Sequence, residues 1–156
     1  MIEIRIEGWG KASLADLVLD FNGTLARDGR LIAGTRSRLR RLARHLRIHV
    51  LTADTFGRAA LELDGCPCRL EILAPRNQDR AKARYVRSLG AERVVAVGNG
   101  RNDRRMLRVA ALGFAVLGAE GAAAESLRAA DAVFIDVRDA LDALLRPLRL
   151  AATLRT

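Results

Sequence analysis

The stretch Leu14-Ala15-Asp16-Leu17-Val18-Leu19-Asp20-Phe21-Asn22-Gly23-Thr24 decides the fold. Leu14 to Leu19 is a short apolar run, the mark of a strand buried on both faces rather than one with a wetted side. It runs directly into a carboxylate, Asp20, and then into an Asn-Gly turn signal. A buried strand that delivers a polar cluster at its carboxyl end is what a parallel sheet with a ligand site looks like in sequence.

The flanks agree. Upstream, Ile2, Ile4 and Ile6 alternate with Glu3, Arg5 and Glu7, a half-buried strand that reaches the central run through a turn at Gly8 to Gly10, an N-terminal β-hairpin. Downstream, Asp28-Gly29 between short apolar flanks signals a second hairpin over Leu25 to Ile32. Thr35 to Leu46 carries Leu39, Leu42, Ala43 and Leu46 on one side of an amphipathic helix. From there strands (48–51, 69–73, 94–97, 114–117, 132–135) alternate with helices (56–63, 79–89, 103–111, 120–129, 140–150), the last bent or ended by Pro147. This pattern predicts βαβ units and an α/β, Rossmann-like three-layer sandwich around a mostly parallel sheet. It fills residues 1–156 as a single domain.

Composition narrows the function. With 156 residues, half of them hydrophobic, the chain can bury a core without disulfide or metal staples. No apolar run approaches the ~20 residues of a membrane span, and the start, MIEIRIEGWGK, lacks the pattern of a secretory signal. A cytoplasmic protein is expected, with no membrane partner. Charge is 27 basic against 18 acidic residues, net +9, and only Lys11 and Lys82 among the basic residues are lysines. The dense run Arg36, Arg38, Arg40, Arg41 and Arg44 reads as the solvated face of a helix, and aromatics at 4% supply few stacking platforms, so nucleic acid is not the expected partner. Cys66 and Cys68, one residue apart, fit neither a redox pair nor half of a zinc site. His45 and His49 straddle a helix-to-strand boundary and need not share a face.

Residues just after the strands gather on one sheet edge: Asp20, Asn22, Gly23 and Thr24; Thr52, Asp54 and Thr55; and Gly98-Asn99-Gly100-Arg101-Asn102-Asp103, with Lys82 on the helix before the last. A carboxylate, hydroxyls, an ammonium and Asn/Asp oxygens together form a kit for phosphoryl transfer with Mg²⁺. Thr52, Asp54, Asn102 and Asp103 equally suit helix caps.

In this order the segments resemble the haloacid dehalogenase-like hydrolases. Asp20-Phe21-Asn22-Gly23-Thr24 is similar to the first motif of that family (Asp-x-Asp-x-Thr), Thr52 to the second, and Lys82 to the third. Gly98 to Asp103 is similar to the fourth (Gly-Asp-Gly-x-Asn-Asp), and the wording is nearest the small soluble relatives of P-type ATPases. The resemblance covers roughly Leu14 to Leu145 and implies roles. Asp20 would become an aspartyl-phosphate, with Thr52 and Lys82 holding the phosphoryl oxygens and Asn22, Gly23, Ala53 and Asn102 adding phosphate contacts. Mg²⁺ would be held by Asp20, the backbone carbonyl of Asn22 and Asn99, supported by Asp103. Two positions depart from the family: Asn22 stands where most phosphatases carry the acid/base aspartate, and Asn99 replaces a metal-binding aspartate.

The gaps between Asp20 and Thr52 and between Thr52 and Lys82 are filled by the elements already counted, leaving no room for a cap domain. The expected protein is a capless, Mg²⁺-dependent phosphatase or ATPase-like hydrolase, slow because of Asn22. Its partner would be a phosphorylated small molecule or nucleotide, and a second copy of the chain could cover the open site. The alternative is a degenerate relative that binds a phosphorylated ligand or protein without turnover. The apolar, arginine-studded stretch Leu145 to Leu154 is the expected contact to another copy.

Overall fold

The computed structural model describes every residue from Met1 to Thr156. The chain opens with an antiparallel hairpin, β1 (Ile2–Ile6) and β2 (Gly10–Leu14), then enters the central strand β3 (Asp16–Asp20). A short hairpin, β4 (Ala26–Arg27) and β5 (Arg30–Leu31), precedes α1 (Thr35–Leu42), β6 (Arg47–Thr52), α2 (Ala59–Glu62) and β7 (Arg69–Ile72). The chain then crosses through α3 (Gln78–Ser88) to β8 (Val94–Gly98), α4 (Arg104–Val109), β9 (Leu112–Val116), α5 (Ala124–Ala129) and β10 (Ala132–Phe134). Two helices, α6 (Val137–Leu145) and α7 (Pro147–Leu154), close it.

The six-stranded sheet has the order β10-β9-β8-β3-β6-β7, and every pairing in it is parallel. The chain builds outward from β3 to β7, then returns to the other side of β3 to lay down β8. The order therefore reverses between β3 and β8, and the crevice beyond their carboxyl ends is where such sheets place ligands.

Period-two alternation distributes β3 between two layers. Leu17 and Leu19 join Leu39, Leu42 and Leu141 in the larger core under α1 and α6, whereas Val18 joins Val86, Met106 and Leu107 under α3 and α4. All five residues of β3, β8 and β9 are buried, which is why β8 and β9 and the centre of β3, Leu17 to Leu19, read as apolar sequence. The second hairpin forms at its Asp-Gly signal, with Asp28 and Gly29 both at positive φ.

Several boundaries differ from the sequence expectation. The run Leu14 to Leu19 is two elements: Leu14 pairs antiparallel with Ile2, while Asp16 pairs parallel with Arg47 and Val94, so the chain changes sheets at Ala15. The helix expected over 56–63 starts only at Ala59, because Asp54 and Gly57 sit at positive φ in a turn whose Asp54 Oδ1 accepts from Arg58 N and Ala59 N. The helix expected over 120–129 starts at Ala124, after a loop turned by Gly118 and Gly121. Pro147 opens α7 as its first residue, the position where its missing N–H costs nothing. Within the stretch Leu145 to Leu154, α7 packs on β1 of its own chain and buries Leu150, with Ala151 and Leu154 against the same core, while Leu148 stays exposed. No helix is long and apolar enough to cross a membrane.

The arginine run of α1 is partly structural. Arg38 makes a two-bond pair with Asp142 (2.9 and 2.8 Å), and Arg36 bonds the carbonyls of Glu62 and Asp64. His45 is exposed on a turn, whereas His49 lies buried in β6 between Asp16 and Tyr85. Burial pushes the thiols of Cys66 and Cys68 above the usual range, Cys68 to about 11.

Candidate active site

Asp20 is the last residue of β3, and Lys82 reaches it from α3, the helix of the crossover. Lys82 Nζ lies 2.6 Å from Asp20 Oδ1 and 2.7 Å from Asp103 Oδ1, and the Lys82 side chain has no exposed surface. Burial works against the ammonium, but the two carboxylates outweigh it and hold Lys82 well above the ordinary lysine value. One ammonium cannot neutralise two carboxylates. Burial therefore pushes Asp20 up to about 7, the Asp103 charge adds to the rise, and Lys82 and Thr24 oppose it.

Asp103 is fully committed. Its Oδ1 takes Lys82, and its Oδ2 accepts from Asn99 N (2.9 Å) and Gly100 N (2.8 Å), so it pins the loop after β8. Asp103 thus sits behind the loop that carries Asn99, in contact with Lys82. Gly98 is tied to the same arrangement, since a Cβ there would fall 2.5–2.7 Å from atoms of the Asp103 side chain.

Asn99 projects between the loop after β3 and the loop after β9. Its Nδ2 donates to Gly121 O (3.0 Å), which turns Oδ1 toward Thr24 Oγ1 (3.3 Å). Thr24 Oγ1 also lies 3.3 Å from Asp20 Oδ2. Asn22 Oδ1 is buried and has no hydrogen-bond partner. An unmatched buried acceptor asks for a ligand. The donors gathered around the surplus negative charge are all oxygens, from Asp20, Asn99 and Asn22, a set that suits a hard divalent cation.

The other expected residues are arranged around this centre. Thr52, buried at the end of β6, accepts from Asp54 N (2.9 Å), and Asp54 in turn caps the entry to α2; Ala53 lies between them. Asn102 donates to Gln78 Oε1 (2.9 Å) across the mouth of α3. The capping reading thus holds for Asp54. Gly23, at φ +83, leaves the space that Asn99 occupies: a Cβ there would lie 2.6 and 2.7 Å from the Asn99 amide atoms.

No family model matches the chain. MJ0073, an uncharacterized protein of Methanocaldococcus jannaschii, is 45% identical over 64 residues, which make up 41% of this chain and 69% of that protein. The chain belongs to that protein's family. A protein of Legionella pneumophila assigned to the haloacid dehalogenase superfamily of hydrolases, subfamily III A, superposes at a TM-score of 0.70, with 17% identity over 90% of this chain and 88% of that one. The 3-deoxy-D-manno-octulosonate 8-phosphate phosphatase of Moraxella catarrhalis, solved with magnesium, phosphate and KDO, gives 0.66 at 15% identity over 91% and 94%. A zinc-transporting PIB-type ATPase gives 0.59 at 23% identity over 80% of this chain and 20% of that one. The fold is haloacid dehalogenase-like.

Three residues of this site were absent from the sequence reading. Gln78 fixes Asn102, and Ser126 Oγ donates to Gly100 O (2.5 Å) from α5. Glu120 stands over Gly23, its Oε2 2.7 Å from where a Cβ would be. Only the glycines at 118 and 121 hint that the loop carrying Glu120 folds back on the site.

Proposed function

We propose that the protein is a phosphohydrolase in which Asp20 accepts the phosphoryl group of the substrate, assisted by Mg²⁺. The observation that carries this reading is Lys82 Nζ, buried at hydrogen-bond distance from both Asp20 and Asp103 at the sheet's switch point. A lysine bridging a strand-end carboxylate and a loop-pinning carboxylate is poised to exchange one partner for a phosphoryl oxygen.

An Asp20 oxygen bonds to phosphorus as the bond from phosphorus to the leaving oxygen breaks, and that oxygen departs with the electron pair. Lys82 and the Thr52 hydroxyl hold the phosphoryl oxygens. Water then attacks the same phosphorus, the bond to Asp20 breaks, and inorganic phosphate is released. Asp20, the Asn22 carbonyl and Asn99 would hold the cation, which when bound neutralises charge on the phosphoryl group. The Asn22 amide has no proton to exchange at neutral pH, so the leaving group departs without acid help and water attacks without a base. Such assistance is typically worth about 10²–10⁴-fold, which makes the turnover slow.

The substrate class is a phosphomonoester or nucleotide, reached through a site with no cap. The test is a phosphatase and ATPase screen with Mg²⁺ on the wild type beside Asp20→Asn, with acid-quench trapping of the phosphoenzyme. Turnover and trapped phosphate are expected to vanish together in the variant. Activity that survives Asp20→Asn overturns the reading.

The neutral amides at 22 and 99 favour a second reading, a domain that binds phosphorylated ligands without turnover. Beryllium fluoride binding at Asp20 without any trapped phosphate from substrate would support it.

A further inference from the structure

The cation site of the proposed reaction is short of charge. Asn99 is neutral, and Asp103 already accepts three hydrogen bonds, from Lys82 and from two backbone amides, so the four motifs bring little negative charge to a cation beside Asp20. Another carboxylate arrives from outside them. Glu120 lies in the loop between β9 and α5, which is fixed to Asn99 twice: Ala123 N donates to Asn99 O (2.9 Å), and Gly121 O accepts from Asn99 Nδ2 (3.0 Å). The loop's other end is anchored by Gly118 N on Ile135 O (2.8 Å).

This anchoring brings the Glu120 carboxylate over Gly23. A Cβ on Gly23 would meet Glu120 Oε2 at 2.7 Å and the two Asn99 amide atoms at 2.6 and 2.7 Å, so both side chains converge on the space that only glycine leaves open. Glu120 is exposed and forms no ion pair and no hydrogen bond within the chain, which carries 27 basic and 18 acidic residues. Arg138, which lines the same hollow of about 270 Å³, is held instead by Asp136 (2.7 and 2.8 Å). A carboxylate left unneutralised beside the amide that replaced a carboxylate is placed to restore what that replacement removed.

We infer that Glu120 supplies the negative charge that Asn99 lacks, acting as an acidic partner of a hard divalent cation held at Asp20 and Asn99. This rests on the phosphohydrolase reading only for the presence of that cation. Carboxylate count sets affinity in such sites, and a charge at the site's open rim is weakened by salt.

The experiment measures Mn²⁺ binding to the full chain by electron paramagnetic resonance, and Mg²⁺ binding by calorimetry, at low and high ionic strength. The proteins are wild type, Glu120→Gln, Asp20→Asn and the double variant Asn99→Asp/Glu120→Gln. Glu120→Gln is expected to weaken binding about tenfold, by less at high salt, with an unchanged melting temperature. The double variant is expected to regain affinity near that of the wild type. If Glu120→Gln binds as the wild type does while Asp20→Asn does not bind, the role of Glu120 is overturned and the phosphohydrolase reading stands. If the wild type binds neither ion, the inference fails together with the metal-assisted chemistry.

Discussion

Lys82 and Asp103, 21 residues apart in sequence, meet at 2.7 Å with neither side chain exposed. Removing the ammonium would strand two buried carboxylates, Asp20 and Asp103, without a counter-charge. Lys82→Met is therefore expected to lower stability by about 3–5 kcal/mol, the usual cost of breaking a buried pair from one side. Urea unfolding at pH 7 checks this. A loss below ~1 kcal/mol would mean that the carboxylates find another partner or take up a proton without cost.

Asn22 offers the opposite kind of change. Its Oδ1 is buried yet unpartnered, so the amide is not committed to holding the fold. Asn22→Asp should leave the melting temperature within a few degrees while giving the site a group that can donate and accept a proton. Phosphate release is expected to rise about 10²-fold, the low end of the range for general acid–base catalysis. The gain should be largest for alkyl phosphates and smallest for aryl phosphates, whose leaving groups need no proton. Steady-state rates across a leaving-group series decide it, and equal rates for both proteins would remove Asn22 as the cause of slow turnover.

The parallel sheet was legible because β3, β8 and β9 are buried on both faces and therefore read as short, mostly apolar runs. The cluster at the strand ends was legible for the same reason, since a strand boundary followed by Asp, Thr or Gly-Asn locates a sheet edge without any tertiary information. Ala15 as the point where the chain changes sheets was not legible. An aspartate inside an apolar run has no local explanation, and the partners that make Asp16 tolerable there, Arg47 and His49, lie 31 and 33 residues away. Glu120 was hidden by a similar distance, since its position over Gly23 depends on the pairing of Asn99 with Gly121. Lys82 was singled out by its rarity and by resemblance, while its complete burial follows from the crossing of α3 over the switch point.

Two glycines without unusual backbone angles separate stability from chemistry. A Cβ on Gly113, in β9, would collide with the backbone carbonyl of Leu107 in α4, and a packed helix cannot yield as a flexible side chain would. Gly113→Ala is expected to cost about 1–3 kcal/mol by overpacking. A Cβ on Gly98 would instead press on the Asp103 side chain at 2.5–2.7 Å, displacing the group that pins Asn99, Gly100 and Lys82. Gly98→Ala should lose Mn²⁺ affinity and turnover per folded molecule, whereas Gly113→Ala should keep both at temperatures where it is folded. Thermal melts paired with Mn²⁺ titrations distinguish the two.

Asp16 closes the other end of β3, remote from Asp20, and its environment makes stability depend on acid. Its carboxylate accepts two bonds from Arg47 (2.7 Å each) and lies 3.0 Å from His49 Nε2. Burial would raise its pKa, but the bonds from Arg47 and His49 outweigh that and hold it below the usual carboxylate range. A carboxyl more acidic in the folded chain than in the unfolded one stabilises the fold at every pH above its unfolded value, about 3.9. That contribution is lost as the pH falls from there through the folded value. Asp16→Asn, which leaves buried partners imperfectly matched, is expected to cost about 1–3 kcal/mol at pH 7. The difference from the wild type should narrow steadily below pH ~4, because acid protonates in the wild type the group that the variant has already neutralised. Urea midpoints for both proteins at pH 7, 4 and 3 follow this directly. A gap that stays constant across that range would mean that Asp16 contributes through packing rather than through its charge.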